Sequence, residues 1–356
     1  MILTHLRLVN FRSYSKLDLS LTSGTTAIVG ENAVGKTNLV EAIQFLSLAR
    51  SFRTNEDSLL IRSGESAAFV EATLEEGSLR RNVAIELGRE GKKAYLNGKP
   101  IRRLSELSRL ANVICFSPKD VSLLSDSPSE RRSFLDVSLS KQSIDYFRLI
   151  SDYGQLLKKR NALLKEVSPD KMLLEVLTEQ MIRVEEPLVR YRALYCDSLT
   201  QNLPGLLRRL RGDECDSSIV YKPFVRLDGD FASNAKKAYS TSLESDLIHR
   251  STMIGPHRED FSVRVNGKDV SDYGSQGENR MAVLALKLCP YYLIEDSAKK
   301  PIVVLDDVTS ELDANRAENL FGVLNDFTQT FVTGTNLKIE GASYVDVALD
   351  RAIRRN

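Results

Sequence analysis

The sequence predicts an α/β fold that is interrupted by a mostly helical insertion. Residues 1–118 alternate short strand patterns with one strongly amphipathic helix, and strand patterns return after residue 250. Between them, residues 119–250 carry mainly helical apolar periodicity. The simplest arrangement is a discontinuous α/β domain, residues 1–118 and 251–356, with residues 119–250 inserted as a helical domain.

Composition narrows the class of protein. The 356 residues, 42% of them hydrophobic and 27% charged, predict one large or two modest globular domains. Apolar stretches fall far short of the ~20 residues that a membrane span needs, and Arg7 lies where a signal peptide would be apolar. We therefore expect a cytoplasmic protein with no membrane partner. The four cysteines form no CxxC pair and the three histidines are scattered, which argues against a zinc site or a disulfide framework.

The N-terminal part contains a strand, a helix and a hairpin in that order. The run TTAIVG is typical of a buried strand, and the residues after it carry apolar side chains at helical spacing, at Leu39, Val40, Ile43 and Leu46. Residues 83–101 then predict hairpin strands, with Asn97-Gly98 as a tight turn.

The middle and C-terminal parts follow a different pattern. Residues 139–165 and 171–200 predict an antiparallel helical pair, kinked at Pro187, and a short helix is expected at about 235–249. Later elements are a hairpin turning at Asn266-Gly267, a helix that Pro290 should end, a strand at 301–305 and the strand TFVTGT at 330–335.

The strand–loop–helix at the start carries a phosphate-binding motif. GENAVGKT fits G-x-x-x-x-G-K-[ST] and lies between an apolar strand and an amphipathic helix, as the motif requires. Backbone N–H groups of the loop and the helix N-terminus favour bound phosphates. The residues expected to bind nucleotide are Gly30, Glu31, Asn32, Ala33, Val34, Gly35, Lys36 and Thr37. Lys36 should reach the terminal phosphates and assist catalysis, and Thr37 should ligate Mg²⁺.

A second candidate site element is the acidic end of the strand PIVVLDD. Asp306 is expected to bind nucleotide by holding the Mg²⁺ shell, and Asp307 to orient or deprotonate the attacking water. Asp313 lies in the small acidic loop that follows and is a further candidate for the nucleotide site, and its place at the start of the next helix also makes it a good N-cap. A capped strand end with solvated acids is the alternative interpretation of this segment.

A third element is the helix start SQGE. Ser275 and Glu278 satisfy the capping-box pattern, so this stretch alone is explained as a helix cap. Its order in the chain suggests more, because ABC-type ATPases place phosphate loop, inserted lobe, signature helix, acidic strand and acidic loop in this succession. Ser275, Gln276, Gly277 and Glu278 would then face the γ-phosphate of ATP held by a second subunit, where a hydroxyl, exposed N–H groups and the helix dipole favour an anion.

With these motifs the chain resembles the RecF family of bacterial recombination mediators, in the SMC-like branch of the ABC ATPases. The resemblance spans nearly the full length and rests on LRLVNFRSY, GENAVGKTNLVEAI, LARSFRT, FSPKDVSLLSDSPSERRSFLD, GPHRED, SQGENR, ALKL and DDVTSELD. It implies an ABC-type P-loop ATPase head (lobe I) with an inserted, mostly helical lobe II and no long coiled coil. It also implies an ATP-dependent homodimer, binding to duplex DNA near single-strand gaps, weak DNA-stimulated ATPase activity, and cooperation with RecO and RecR in loading RecA.

The chain departs from the family pattern at several places, among them Ala33, where related loops often carry glycine, and the lack of a recognisable Q-loop glutamine. Glu278 stands where the family often has glutamine, and Asp307 is shorter than the glutamate of most ABC enzymes. TFVTGT ends in threonines where many ABC proteins have a histidine, which leaves Thr333 or Thr335 as a candidate γ-phosphate sensor. The shorter carboxylate predicts slow hydrolysis that times release, with ATP acting mainly to hold the dimer together.

Candidate DNA contacts are small basic groups. The residues chosen as candidates are Arg50, Arg53, Arg131 and Arg132. Further basic groups lie at Arg80-Arg81, Arg102-Arg103, Lys158-Lys159-Arg160, and Arg208-Arg209 with Arg211. Such pairs are also common on solvated, ion-paired helix faces. The chain has no Trp, so backbone binding to duplex is favoured over base stacking on single strands. Two other functions stay open, a transporter-associated nucleotide-binding subunit and a small-molecule P-loop kinase.

Overall fold

A computed structural model describes residues 1–310 and 312–355 of the chain. The strands are β1 (Ile2–Phe11), β2 (Tyr14–Ser20), β3 (Gly24–Val29), β4 (Ala68–Glu76), β5 (Leu79–Gly88), β6 (Gly91–Leu96), β7 (Lys99–Pro100), β8 (Val113–Phe116), β9 (Ser217–Lys222), β10 (Asp260–Val265), β11 (Lys268–Asp269), β12 (Ile302–Leu305), β13 (Gln329–Gly334), β14 (Ser343–Ala348) and β15 (Arg351–Arg354). The helices are α1 (Lys36–Leu48), α2 (Leu107–Leu110), α3 (Pro128–Gln142), α4 (Ile144–Leu164), α5 (Lys171–Arg211), α6 (Phe231–His249), α7 (Val270–Tyr273), α8 (Gln276–Tyr292) and α9 (Ala314–Leu324).

The chain divides into two compact units. Unit 1 comprises residues 1–121, 205–214 and 283–356, and unit 2 comprises residues 122–204 and 215–282. This differs from the predicted insertion 119–250, because residues 251–282 pack in unit 2. The physical reason is that β10 pairs antiparallel with β9, from Asp260 opposite Lys222 to Val265 opposite Ser217. Local sequence patterns cannot predict such hydrogen bonds, because the two strands are far apart in the chain.

Unit 1 contains two six-stranded sheets. One has the order β2-β1-β4-β5-β6-β7 and the other β15-β14-β3-β13-β12-β8. An apolar cluster is shared by β1, β4 and β5 of the first sheet, by β12, β13 and β14 of the second, and by α1. The buried side chain of Gln329 fastens β13 to β1, since its Oε1 accepts from Leu3 N at 2.7 Å and its Nε2 donates to Leu3 O at 2.8 Å.

The second sheet determines where the candidate site forms. Its strands β14, β3, β13, β12 and β8 run parallel to one another, whereas the edge strand β15 is antiparallel to β14. The carboxyl ends of parallel strands lie at one edge of a sheet, where open α/β sheets bind ligands. The phosphate loop follows β3, Asp306 follows β12, and Thr333 lies at the end of β13, so the topology brings these segments to the same edge.

Unit 2 contains the expected helical pair and a three-stranded sheet, β11-β10-β9. Helices α4 and α5 are antiparallel, because Tyr146 stacks edge-on against Tyr191 at 5.7 Å while Arg160 Nε donates to Thr178 Oγ1 at 3.1 Å. Pro187 and Pro204 both lie inside α5, which runs on to Arg211 instead of ending near residue 200. Likewise α8 does not stop at Pro290 but continues to Tyr292.

Two buried arginines organise unit 2. Arg160 donates from Nη1 to Asp246 Oδ2 at 2.7 Å, and Arg192 donates from Nη1 to Glu259 Oε2 at 2.9 Å and from Nη2 to Asp136 Oδ1 at 2.8 Å. Both guanidinium groups are about 1% exposed, and a buried charge is tolerated only when it is paired and hydrogen-bonded. Arg160 is therefore a structural residue and not part of an exposed basic run.

The lengths of the helices can be compared with the expectation that the chain has no long coiled coil. In the part of the chain that the structure describes, only α5 exceeds 21 residues, so no two long helices are present to form a coiled-coil arm. None of the helices formed by residues 1–310 and 312–355 combines the length and apolar character that a membrane span requires.

Candidate nucleotide site

The phosphate loop takes the strand–loop–helix form that its motif requires. Gly30 cannot carry a side chain, because a Cβ there would lie 2.3 Å from Val347 O. Gly35 caps α1 in a left-handed conformation with φ 115°, and a Cβ would lie 2.8 Å from Ser13 Oγ. Ala33, where related loops often carry glycine, has φ 66° and therefore holds a left-handed conformation despite its methyl group.

Lys36, the first residue of α1, is held against its own loop. Its Nζ donates to Gly30 O at 2.8 Å and to Glu31 O at 2.6 Å. Burial lowers the pKa of the amine, while the charges of Asp307 and Asp306 raise it. The loop thus holds a positive charge near the carboxylates of Asp306 and Asp307. Phosphate oxygens of a bound nucleotide would offer that charge stronger partners.

Two hydroxyl groups converge on Asp306. Thr37 Oγ1 donates to Asp306 Oδ1 at 3.0 Å, and Thr333 Oγ1 donates to the same oxygen at 2.8 Å. Burial raises the pKa of this carboxyl, and the two hydrogen bonds counteract that effect because they favour the ionised form. Neither hydroxyl uses Oδ2, so the carboxylate keeps an oxygen for another partner.

The oxygen donors at this point fit Mg²⁺. Thr37 donates its hydrogen to Asp306 and so keeps its oxygen lone pairs for a cation, and hard cations prefer hydroxyl, carboxylate and phosphate oxygens. Among the residues that the structure describes, no group of three or more His, Cys, Asp or Glu side chains could hold a metal by itself. A magnesium ion here would thus depend on nucleotide phosphates for part of its shell.

Asp307 has an unusual backbone conformation. It is exposed and has φ 47°, which is a left-handed conformation and costly for a residue with a Cβ. Its N–H donates to Thr333 Oγ1 at 2.8 Å, and its carbonyl accepts from Ser310 Oγ at 3.0 Å. The chain therefore turns sharply after β12, and the second aspartate is exposed at this turn.

The acidic loop after Asp307 leads to a well-capped helix. Asp313 Oδ1 accepts from Arg316 N at 2.9 Å, which makes it the N-cap of α9. Glu311, in the same DDVTSELD segment, lies outside the described residues. The cap role of Asp313 is thus visible in the geometry, and its contribution to a nucleotide site stays a prediction.

Sequence reasoning missed a buried carboxylate beside the loop. Glu41 of α1 is fully buried and accepts from Arg12 Nε at 2.9 Å, from Arg12 Nη2 at 2.7 Å and from Ser51 Oγ. Arg53 Nη1 lies 3.4 Å from the same carboxylate and donates to Asn38 Oδ1 at 2.8 Å. The available signal was a glutamate among apolar residues on the buried face of an amphipathic helix.

The helix start SQGE lies in unit 2 and forms a complete capping box. Glu278 N donates to Ser275 Oγ at 3.3 Å, while Ser275 N and Oγ each donate to Glu278 Oε2 at 3.0 Å. Ser275 and Gln276 are exposed, and Gly277 is in the first turn of α8. The local cap is confirmed, and the N-terminus of α8 carries the hydroxyl and N–H groups that an anion would use.

The remaining candidates are Thr335 and the four arginines predicted to contact DNA, and they differ in exposure and in the contacts that their side chains make. Thr335, just beyond β13, is exposed, and so is Arg50. Arg53 is engaged beside the phosphate loop, as described above. Arg131 is only 11% exposed and forms a bidentate pair with Asp260 at 2.7 and 2.9 Å. Arg132 is half-buried and donates to a backbone carbonyl at 2.8 Å. These contacts therefore favour a structural role for Arg131 and Arg132, whereas Arg50 is exposed and stays a candidate for DNA contact.

Comparison with known proteins identifies the wider relationship. The family model described as the RecF/RecN/SMC N-terminal domain matches residues 2–344. The DNA replication and repair protein RecF of Clostridium novyi is 33% identical over 348 residues, which are 97% of this chain and 96% of that protein.

Solved structures agree with this relationship. A structure described as the recombination mediator protein RecF with ATP in the RecFOR pathway superposes with a TM-score of 0.91 at 31% identity, covering 99% of this chain and 97% of that one. The head domain of an Smc protein from Pyrococcus furiosus matches with a TM-score of 0.63 at 16% identity over 99% of this chain and 96% of that one. The second likeness shows the fold alone, that of an ABC-type ATPase head.

Proposed function

Because the chain belongs to the RecF family, within the RecF/RecN/SMC N-terminal domain proteins, we propose that it is an ATP-dependent, DNA-binding recombination mediator that acts in DNA repair and replication. The observation that carries the proposal is the convergence of Lys36, Thr37 and Asp306 at one sheet edge, in a chain that also exposes a capped SQGE helix start. A kinase for a small molecule would have no use for a helix start of this kind that acts on ATP bound to a second subunit.

The proposed working form is a homodimer that closes around ATP. Phosphates bound at Gly30–Thr37 of one subunit would meet Ser275, Gln276 and Gly277 of the second, where the N-terminus of α8 offers N–H groups and a favourable dipole. We propose that this dimer binds duplex DNA near single-strand gaps and acts in the cytoplasm. Its partners would be RecO and RecR, as in the pathway named for its relative, and the outcome would be loading of RecA.

The residues suggest how ATP would be hydrolysed. Lys36 would exchange its two carbonyl contacts for phosphate oxygens, since a cation gains more from a charged acceptor than from neutral ones. Bound Mg²⁺, held through Thr37 and Asp306, would neutralise phosphate charge. Asp307 would orient the attacking water and accept its proton. We expect slow turnover, stimulated by DNA, because the carboxylate at this position is one methylene shorter than a glutamate.

Sedimentation of the full chain, with and without ATP and duplex DNA, tests the proposal. The wild-type protein should sediment as a dimer only with ATP and should bind duplex DNA with an affinity that falls steeply as salt rises. Ser275→Arg should still bind ATP yet remain monomeric, because the cation and its bulk obstruct the phosphate-facing helix start. Ser240→Arg, at an exposed position on α6, serves as the matched control and should dimerise normally.

Other outcomes would contradict the proposal in distinct ways. A Ser275→Arg protein that dimerises like the wild type would remove the signature role of this helix start. A wild-type chain that stays monomeric with ATP and does not bind duplex DNA would favour the alternative function of a small-molecule kinase. A dimer that forms with ATP but has no affinity for DNA would favour a transporter-associated nucleotide-binding subunit.

A further inference from the structure

One buried hydroxyl links the two acidic residues at the end of β12. Thr333 of β13 is 1% exposed. Its Oγ1 donates to Asp306 Oδ1 at 2.8 Å and accepts from the backbone N–H of Asp307 at 2.8 Å. The neighbouring parallel strand thus contacts both the side chain of the first aspartate and the backbone of the second.

These two contacts decide which kind of role Thr333 can have. A threonine hydroxyl has one hydrogen to donate, and that hydrogen is engaged by a carboxylate, the stronger class of acceptor. Thr333 therefore has no hydrogen left for a phosphate oxygen unless it abandons Asp306. Thr335, exposed just past the strand, is the better of the two threonines for sensing the γ-phosphate.

The backbone of Asp307 explains why a hydroxyl is needed at this point. Its φ of 47° is left-handed, a conformation that residues with a Cβ adopt only when their surroundings hold them there. The N–H is fixed by Thr333 and the carbonyl by Ser310 Oγ, so both peptide groups that flank the strained residue are held. Without the hydroxyl, the partly buried N–H of Asp307 would lose its acceptor, and the turn could relax.

We infer that Thr333 is a positioning residue for ATP hydrolysis, which sets the direction of the Asp307 carboxylate and fixes the side chain of Asp306 in one hydrogen-bonded arrangement. The inference rests on the proposed function, in which Asp307 orients the attacking water. In this role Thr333 contacts the two aspartates and not the nucleotide or the attacking water. It acts through the geometry of the two aspartates, so its loss should affect turnover more than nucleotide affinity.

Two substitutions separate the hydroxyl from the shape of the side chain. Thr333→Val keeps the volume and the β-branching that suit a strand but removes the donor and acceptor, so we expect a folded protein. Its kcat for ATP hydrolysis should fall about 10- to 100-fold, the range for a misplaced catalytic group, with the Kd for ATP within about threefold of the wild type. Thr333→Ser restores the hydroxyl and should recover kcat to within about threefold of the wild type.

Three results would overturn the inference. The first is a Thr333→Val protein with wild-type kcat. The second is equal loss of kcat in the Val and Ser variants, which would indicate the methyl group and packing. The third is an ATP Kd that weakens in Thr333→Val while kcat is retained, which would indicate direct contact with the nucleotide.

Amide hydrogen exchange at Asp307 provides a measurement that does not depend on turnover. The exchange rate of this N–H should rise in Thr333→Val and stay near the wild-type rate in Thr333→Ser, because only the first variant removes its acceptor. Unchanged exchange in both variants would overturn the positioning role. A wild-type chain without ATPase activity would instead contradict the proposed function. The exchange data would still show whether the hydroxyl of Thr333 holds the N–H of Asp307.

Discussion

Replacing Glu185 with glutamine should make the protein more stable, by an amount that grows with pH. Glu185 of α5 is fully buried, and its Oε1 accepts from Tyr239 Oη of α6 at 2.6 Å. Burial raises the pKa of the carboxyl from an ordinary 4.5 to about 8, against the opposing hydrogen bond from Tyr239. Glu259 adds to the increase, and the charge of Arg160 counteracts it.

The sign and size follow from proton linkage. Between pH 4.5 and about 8 the folded state holds a proton on Glu185 that the unfolded state has released, so stability present below pH 4.5 is lost as the pH rises through this window. At ~1.4 kcal/mol per unit, the loss is roughly 2 kcal/mol near pH 6 and reaches roughly 4–5 kcal/mol at the upper end. Glutamine cannot ionise and still offers an oxygen to Tyr239, so the variant should escape this loss.

Urea unfolding followed by circular dichroism between pH 5 and 9 measures the difference in unfolding free energy between Glu185→Gln and the wild type. His257, whose pKa burial lowers to about 4, makes both proteins less stable as the pH falls below 6.5, and its effect cancels in the difference. Glu244→Gln, at an exposed position on α6, is the matched control, because it removes one carboxyl without relieving any burial. A difference for Glu185→Gln that does not change with pH would refute the reasoning.

Three further predictions concern other parts of the chain. Gly255→Ala should destabilise by roughly 2–4 kcal/mol in urea unfolding, because its φ is 121° and a Cβ would lie 2.8 and 2.9 Å from two tyrosine hydroxyls. Gly229→Ala, with φ 80° and open space around it, should cost only about 1 kcal/mol and isolates the backbone strain. Glu278→Ala should lose about 1 kcal/mol of cap stability in thermal denaturation. Glu278→Gln should lose only a part of that amount, because the amide oxygen still accepts but more weakly than the carboxylate, and it should dimerise at lower ATP. Arg50→Ala should weaken binding to duplex DNA, measured by fluorescence anisotropy, and should reduce the slope of log affinity against log salt concentration by about one. Arg131→Ala should instead lower the free energy of unfolding and leave the affinity for DNA unchanged, because Arg131 is paired with Asp260.

The features that the sequence predicted correctly are those whose causes are local. The phosphate loop, the two Asn-Gly turns and the Ser275–Glu278 cap each depend on a few consecutive residues with special backbone or hydrogen-bonding needs. Asn97 and Asn266 have φ of 50° and 49°, as tight hairpin turns require. The long helices were found for the same reason, since apolar periodicity is a property of one segment.

The features that escaped prediction depend on partners far apart in the chain. Arg160 belongs to a basic run by sequence, yet its partner Asp246 is 86 residues away and both are buried. Glu41 resembles a solvated helix residue until Arg12 folds back onto it from 29 residues earlier. The unit boundary was misplaced for the same reason, because the pairing of β10 with β9 cannot be inferred from either strand alone.

The helix start SQGE combines a local and a distant role that compete for one hydrogen. In the isolated chain Ser275 donates its hydroxyl hydrogen to Glu278 Oε2 at 3.0 Å. In the proposed dimer the same hydrogen would be donated to a phosphate of the second subunit's ATP, so the cap bond must break as the phosphate bond forms. A carboxylate holds that hydrogen more firmly than a neutral amide oxygen would, and its charge repels an approaching phosphate. Compared with glutamine, Glu278 therefore makes the cap stronger and the dimer weaker. In sedimentation at increasing ATP concentrations, the Glu278→Gln variant should associate at a lower concentration than the wild type. Weaker association of that variant would mean that the carboxylate itself contributes to binding across the dimer.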